Sequence, residues 1–232
     1  MTTTFPAPPV PQAPPARAPH LFSVDEYFRL YEIGVIPAGA KHELIRGGVV
    51  GKRFSPAEYG LMIEAGILPP GAKYELIHGE VEDVMGQGDL HAVCIEMLGQ
   101  LLVEILAGSA AVRGQCPLAL SGSTPEPDFV VCPPIKRRGA RHPVAAEAFL
   151  VIEVSDSSLA YDRTTKLALY AGGGVAEYWI INLSDDCVEV HTQPDAACGT
   201  YASRIVYRRN QSLTFTLGTQ NSGPVPVDAL LP

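Results

Sequence analysis

The apolar positions of the chain follow two patterns, one of short continuous runs and one with helical spacing. Continuous apolar runs of a few residues are typical of strands covered on both faces. They predict strands at about 111–120, 127–132, 147–154, 177–183, 187–192 and 204–207, with a late segment at 213–215. Helices are predicted at about 90–107 and 161–172, the second ending at three consecutive glycines. This order predicts an α/β fold in which a mixed β-sheet is flanked by helices.

A segment near the N-terminus occurs twice in tandem. The pattern that runs from Phe22 to Val49 recurs from Phe54 to Val81, at an offset of 32 residues throughout. In each copy a serine after the phenylalanine predicts a helix N-cap, and a Glu-Leu-Ile motif predicts the start of a strand. Two copies are too few for a solenoid. We interpret them as a local duplication, in which the second copy runs directly into the strand and helix that follow it, and the first is an addition.

These patterns divide the chain into four parts. Residues 1–20 are rich in proline and alanine and lack apolar periodicity, which predicts a disordered arm. Residues 21–50 form the extra copy, and residues 51–220 form the main domain. Residues 221–232 contain three prolines and are expected to be a surface tail.

Composition excludes several classes of protein. A hydrophobic content of 47% in 232 residues can bury one sizeable core. The net charge of −8 argues against broad electrostatic binding to nucleic acid. The five cysteines are widely spaced and form no CxxC pair, which argues against a disulfide framework or a zinc site.

Neither a membrane span nor a secretory signal is predicted. The one long apolar stretch, from His91 to Val112, carries Glu96 and Glu104, so it is expected to be a packed helix. The first 20 residues lack the positive start and apolar middle of a signal peptide. We therefore expect a cytoplasmic protein without a membrane partner.

Local positive charge is concentrated in one predicted loop after the strand at 127–132. Its side chains could contact phosphate groups, although a charged loop is often only solvated. The residues are Lys136, Arg137, Arg138 and Arg141.

Two acids lie inside predicted buried strands, where apolar residues are expected. Asp128 precedes Phe129-Val130-Val131, and Glu153 interrupts the run Leu150-Val151-Ile152 before Val154. A buried carboxylate costs several kcal/mol unless another group pairs with it. A divalent cation shared by the two acids is one partner, and a buried lysine is another.

Lys166 follows the second acid on the predicted helix. Mg²⁺ is often held by one or two carboxylates together with water and substrate phosphate. Such a metal activates water for attack on a phosphodiester, and Lys166 could orient that water or offset the developing charge. The alternative is that Asp162 and Lys166, four residues apart, form an exposed helical ion pair.

Four further residues are secondary candidates. Glu75 begins a strand and could complete a carboxylate cluster, although a surface role or a pair with Lys73 is equally compatible with its position. His91 begins a helix and could be a metal ligand, but a cap or a hydrogen-bonded neighbour is more usual there. Tyr161 and Asp162 could support the site.

The chain resembles the Uma-two family, described as restriction endonucleases, within the PD-(D/E)XK nuclease superfamily. The resemblance extends from about residue 54 to residue 192. It rests on the motif from Tyr74 to Glu80, on His91, on Pro127-Asp128, and on the segments 150–155 and 161–180.

The resemblance implies a restriction-endonuclease-like α/β core and a metal-dependent endonuclease acting on DNA, with Mg²⁺ or Mn²⁺ as cofactor. It implies that Asp128 and Glu153 are metal-binding acids, that Glu75 is a supporting metal ligand, and that Lys166 is the catalytic lysine. The superfamily's usual lysine two residues after the second acid is Ser155 here. The alternative is a catalytically idle relative that binds nucleic acid or a protein partner. Cutting both strands favours two-fold symmetry, so a homodimer is expected for an active enzyme.

Overall fold

The computed structural model of the protein describes residues 17–69, 72–84, 88–134, 142–218 and 220–232. Its helices are α1 (Val24–Glu32), α2 (Pro56–Glu64), α3 (Asp89–Leu106), α4 (Leu159–Tyr161) and α5 (Leu167–Gly172), with a π-helical stretch, Asp162–Lys166, between α4 and α5. The first strands are β1 (Arg17–Pro19), β2 (Glu43–Ile45), β3 (Gly48–Val50), β4 (Tyr74–Ile77) and β5 (Glu80–Val84). The later strands are β6 (Ala111–Gly114), β7 (Phe129–Cys132), β8 (Leu150–Ser155), β9 (Glu177–Asn182), β10 (Cys187–Asp195) and β11 (Thr200–Arg208). Four two-residue strands follow: β12 (Ser212–Leu213), β13 (Thr216–Leu217), β14 (Gln220–Asn221) and β15 (Val225–Pro226).

Six strands form the central sheet, in the order β11-β10-β9-β8-β7-β6. The β8–β9 pair is parallel and the other neighbouring pairs are antiparallel. A parallel pair needs a long crossover connection, and α4, the π-helical stretch and α5 provide it. The predicted mixed sheet flanked by helices is confirmed. The strand predicted at 111–120 is shorter than expected because Gln115, directly after β6, has a positive φ of 47°.

The two faces of the sheet follow from the alternation of side chains along its strands. Leu150, Ile152 and Val154 of β8 pack in the cluster that contains the buried side of α3. Val151 faces the opposite side, where it packs with Tyr170 of α5. Because Glu153 shares the parity of Val151, its side chain belongs to the face covered by α5.

The C-terminal residues are part of the core, and the expectation of a surface tail at 221–232 is wrong. Val225, Val227, Leu230 and Leu231 are buried in the same cluster as α3. The thiol of Cys94 in α3 lies 3.7 Å from the carbonyl oxygen of Leu230. The three prolines suggested an unpacked segment, but the apolar residues between and after them bury enough surface to hold it in place.

The duplicated segments have the same local structure. The capping boxes are Ser23 with Glu26 before α1 and Ser55 with Glu58 before α2. Both hairpins turn through two residues of positive φ, which are Arg46-Gly47 (50° and 82°) and His78-Gly79 (49° and 78°). This is the type I′ geometry that suits a two-residue hairpin.

The two copies bury one core between them. Equivalent residues of the copies are buried in a single cluster, and the rings of Phe22 and Phe54 lie 5.7 Å apart. The equivalent buried pairs are Phe22 and Phe54, Leu30 and Met62, Val35 and Ile67, and Ile36 and Leu68. The first copy is therefore packed as part of this N-terminal unit.

Arg17, Ala18 and Pro19 form a strand, so the expected disorder of residues 1–20 is wrong for its last part. β1 pairs antiparallel with β5, which places β5 between β1 and β4. The backbone of His20 extends this pairing by donating to the Val81 carbonyl at 2.8 Å. The open edge of β5 supplies the hydrogen-bonding groups that order this segment.

Two absences expected from the sequence concern membranes and disulfides. Each of the five cysteines is a free thiol. In the described ranges, no helix has the combination of length and apolar character that would let it cross a membrane.

Candidate active site

Asp128, directly before β7, lies opposite Glu153 of the antiparallel neighbour β8. Phe129 of β7 pairs with Ile152 of β8, so one step further along the same register Asp128 meets Glu153. Both side chains are almost fully buried, and both line one cavity of about 70 Å³. The N–H group of Val154 donates to Asp128 Oδ2 at 2.8 Å, which fixes that carboxylate against β8.

Lys166 is 0% exposed and contacts two acids from different parts of the chain. Its Nζ lies 3.1 Å from Glu153 Oε1 and 3.0 Å from Glu75 Oε2. Asp162 instead accepts hydrogen bonds from Ser155 Oγ and Ser158 Oγ, each at 2.5 Å. The alternative of an exposed ion pair between Asp162 and Lys166 is therefore wrong.

The π-helical stretch brings Lys166 to this position. The N–H group of Leu167 donates to the Asp162 carbonyl, five residues earlier. Such single turns occur frequently at functional sites. Lys166 and Tyr170 are four residues apart and are both fully buried, so they share the helix face that covers the sheet.

Tyr170 is a site residue that the sequence interpretation did not single out. Its hydroxyl donates to Glu153 Oε1 at 2.5 Å and lies 3.5 Å from Lys166 Nζ. The signal was present in the sequence, because a residue four positions after a buried helical lysine faces the same way. Ser155, two residues after Glu153, donates to Asp162.

The buried acids and the lysine shift one another's protonation. Burial raises the pKa of Glu153 to about 7, and the nearby carboxylates of Asp128, Asp162 and Glu75 also raise it, while Lys166 opposes the rise. Burial lowers the pKa of Lys166, but the charges of Glu153 and Glu75 outweigh it and raise the value above the ordinary one. The lysine therefore stays protonated between the two acids.

Glu75 comes from β4 of the second copy and is 2% exposed. Its carboxylate accepts hydrogen bonds from Lys166, from the Glu126 N–H group at 3.0 Å, and from Arg17 on both oxygens. The two roles expected besides metal binding, a surface position or a pair with Lys73, do not describe this environment. Because N–H donors occupy both of its oxygens, Glu75 balances the charge of Lys166 and Arg17 in this arrangement.

Arg17 is a second residue that sequence reasoning missed, since nothing in the Pro- and Ala-rich segment distinguishes it. Its guanidinium forms an ion pair with Glu75 and lies 4.9 Å from the centroid of the Tyr161 ring. Burial lowers the pKa of Arg17, but the charges of the Glu75 and Glu153 carboxylates raise it by more. The pKa is therefore above its ordinary value, and the guanidinium stays charged.

The remaining candidates divide into those near the acids and those outside the described residues. His91, in the first turn of α3, has Nε2 3.2 Å from Asp128 Oδ2. The Tyr161 hydroxyl donates to Glu82 at 2.7 Å, beside Arg17. The expected phosphate contacts from the basic loop fall outside the described residues: Lys136, Arg137, Arg138 and Arg141.

The donor set of the cavity fits a hard divalent cation held by two carboxylates. Within the described ranges, the hydrogen bonds to Asp128 fall on Oδ2 and those to Glu153 fall on Oε1, so that Oδ1 and Oε2 receive no protein donor. Among the residues that the structure describes, no three His, Cys, Asp or Glu side chains are placed to hold one metal ion together. Two carboxylate ligands completed by water and substrate are typical of Mg²⁺.

The fold is similar to that of a solved structure described as "a putative nuclease belonging to DUF820", from Anabaena variabilis. The TM-score is 0.52 at 15% sequence identity, and the match covers 68% of this chain and 88% of that chain. At this identity the similarity shows the fold alone. No curated protein matches the chain.

A protein family described as "Putative restriction endonuclease" matches residues 56–225, nearly three quarters of the chain. The matched range includes α2 of the second copy, β4 with Glu75, and the segments that carry Asp128, Glu153 and Lys166. It excludes Arg17 and the first copy of the duplication. The chain therefore belongs to the Uma2 family.

Proposed function

We propose that this protein is a metal-dependent nuclease that hydrolyses phosphodiester bonds in DNA with Mg²⁺ or Mn²⁺. The observation that carries the proposal is the placement of Asp128 directly opposite Glu153 at one cavity, with the fully buried Lys166 in contact with Glu153. Membership of a family described as restriction endonucleases supports the same chemistry.

Asp128 and Glu153 would hold the cation through Oδ1 and Oε2, which receive no donor from the described residues. A bound Mg²⁺ polarises the phosphate and lowers the pKa of bound water. Glu153 must be ionised to bind a cation, and Lys166 favours the ionised form because its charge lowers the Glu153 pKa.

Lys166 acts in this proposal as a positioning residue for Glu153. It is fully buried, and its contacts are with carboxylates and with the hydroxyl of Tyr170. Lys166 and Tyr170 both contact Oε1 of Glu153, so they fix this oxygen and leave Oε2 for the cation. Glu75 holds Lys166 from the opposite side, so its role is to balance charge and not to bind the metal.

A plasmid-cleavage assay tests the proposal. Supercoiled plasmid is incubated with the full chain and Mg²⁺ or Mn²⁺, and nicked and linear products are measured over time. We expect cleavage that stops on addition of EDTA and that falls by on the order of 10²-fold or more in Glu153→Ala. The matched control is Glu43→Ala, which removes an exposed acid from the first copy and is expected to cleave like the parent.

Two outcomes would contradict the proposal. If Glu153→Ala is folded by circular dichroism and cleaves as fast as the parent, the assignment of the site is wrong. If the parent binds DNA but does not cleave it with either metal, the protein is the catalytically idle relative. The expected homodimer can be checked in the same preparation by light scattering.

A further inference from the structure

Arg17 enters the candidate site from a strand that lies outside the family match, which begins at residue 56. β1 pairs with the edge of β5, and this pairing sets the direction of the Arg17 side chain. The residue lies at the wall of two neighbouring cavities, one of about 70 Å³ that contains the acids and one of about 260 Å³ beside it. Ser157 and Ser158 line both cavities as well.

The guanidinium is held in place but keeps unused donors. A guanidinium has five N–H groups, and two of its nitrogens contact Glu75. Within the described ranges, no further protein acceptor is bonded to Arg17. Its contacts with Glu75 and with the face of Tyr161 orient the remaining donors, as needed for bidentate binding of a phosphate.

The charge around the two cavities makes this arginine important for an anionic ligand. The carboxylates at the wall of the smaller cavity are Glu75, Glu126, Asp128, Glu153, Asp156 and Asp162. The cationic side chains among its described lining residues are Arg17 and Lys73. A nucleic-acid strand passing these acids needs local positive charge, because the charge of the carboxylates repels phosphate.

We infer that Arg17 binds a phosphate of the DNA strand, next to the scissile phosphate, in the groove formed by the larger cavity. The inference rests on the proposed function for the identity of the strand and deepens it by naming a substrate-binding residue. The DNA strand would thus be bound, beyond the acids, by a residue of β1, which the family match does not include.

The competing interpretation gives Arg17 only a structural role, the neutralisation of Glu75. To separate the two, we choose Arg17→Gln, since its amide still donates to Glu75 but carries no charge. The same change is also made in a Glu75→Gln background, where no carboxylate at position 75 is left to neutralise. The matched control is Arg53→Ala, which removes a cation that is paired with Glu80 and is 69% exposed in its side chain.

The measurement is the binding of a fluorescent DNA duplex, followed by anisotropy in EDTA between 50 and 200 mM salt. Neutralising one phosphate contributes about 0.9 to the slope of log affinity against log salt. We expect Arg17→Gln to reduce the slope by about one unit for any DNA sequence. The rise from 50 to 200 mM salt would then weaken DNA binding by Arg17→Gln less than binding by the parent, and the two losses of affinity would differ about 3.5-fold. The same difference is expected between Glu75→Gln and the double variant, whereas Arg53→Ala keeps the parental slope.

The inference is overturned if both comparisons leave the slope unchanged, or if the parent shows no DNA binding at 50 mM salt. Should Arg17→Gln alone fail to fold, the comparison in the Glu75→Gln background decides. Because EDTA prevents metal-dependent cleavage, the result is independent of nuclease activity. A reduced slope without cleavage by the parent with any metal would leave the inference standing and refute the proposed function. Cleavage by the parent together with an unchanged slope would support the proposed function and refute the inference about Arg17.

Discussion

Glu43 and Glu75 occupy the same place in the two copies of the duplication, at the start of Glu-Leu-Ile in β2 and β4. The hairpins that carry them have the same turn geometry and follow helices with the same cap. Glu43 is nevertheless exposed, whereas Glu75 is 2% exposed and contacts Lys166 and Arg17. Equal local structure has therefore produced one surface residue and one site residue.

The difference comes from what each hairpin packs against. The second hairpin is joined to the segment before β7 by hydrogen bonds from Thr124 N–H to the Leu76 carbonyl at 2.7 Å and from Gly79 N–H to the Gly122 carbonyl at 3.0 Å. The equivalent residues Ile45 and Ile77 show the same difference in burial, because Ile45 is 52% exposed and Ile77 is 3% exposed. The chemistry of an acid in this unit is thus set by the segments that its hairpin packs against and not by its own copy.

The largest effect is expected when the acid is removed from each copy in turn. Glu75→Ala leaves Lys166 with one counter-charge and Arg17 with none at this position. Breaking a buried ion pair costs about 3–5 kcal/mol, so we expect a loss of that order in the free energy of unfolding. Glu43→Ala is expected to change it by less than about 0.5 kcal/mol, as is usual for exposed positions. Urea denaturation of both variants measures the difference, and losses of equal size would show that the environment of Glu75 is wrongly assigned.

The second comparison concerns the core that the copies share. Leu30 and Met62 are equivalent residues, and each is fully buried in the same cluster. Truncation of a buried Leu or Met to Ala costs about 2–5 kcal/mol. We expect Leu30→Ala and Met62→Ala to lower the free energy of unfolding by similar amounts within this range.

The control for that pair is position 61, where Leu61 is 43% exposed on the outside of α2. Leu61→Ala should have a much smaller effect in the same urea titration. If Leu30→Ala were as mild as Leu61→Ala, the first copy would be an appendage, as its sequence first indicated, and not half of a folded unit.

Much of the site could be predicted because buried charge is conspicuous in a sequence. Asp128 and Glu153 interrupt apolar runs, and the parity of the run around Glu153 also determines which face of the sheet it occupies. The sequence could not show which partner neutralises these acids. The structure provides the buried Lys166, and Glu75 and Tyr170 complete its surroundings.

The segments at the two ends were predicted less well, for a physical reason. Arg17-Ala18-Pro19 has no pattern of its own, and it is ordered because the edge of β5 offers backbone groups to pair with. At the other end, Val225, Val227, Leu230 and Leu231 are too few to define an element, yet they fill space beside α3. Both segments are held by surfaces that other parts of the chain form. A prediction from the local sequence pattern takes no account of such surfaces.

The smallest expected effect tests whether the two copies are equivalent where neither contacts the site. In each capping box the serine side chain accepts from the N–H group three residues later, at 3.2 Å in both copies. Replacing a serine N-cap by alanine costs typically about 1 kcal/mol, so Ser23→Ala and Ser55→Ala should each lower the free energy of unfolding by that amount. Because the copies share one core, the two losses should also be equal within the error of a urea titration. A loss confined to Ser55→Ala would mean that the first helix can fray without unfolding the rest.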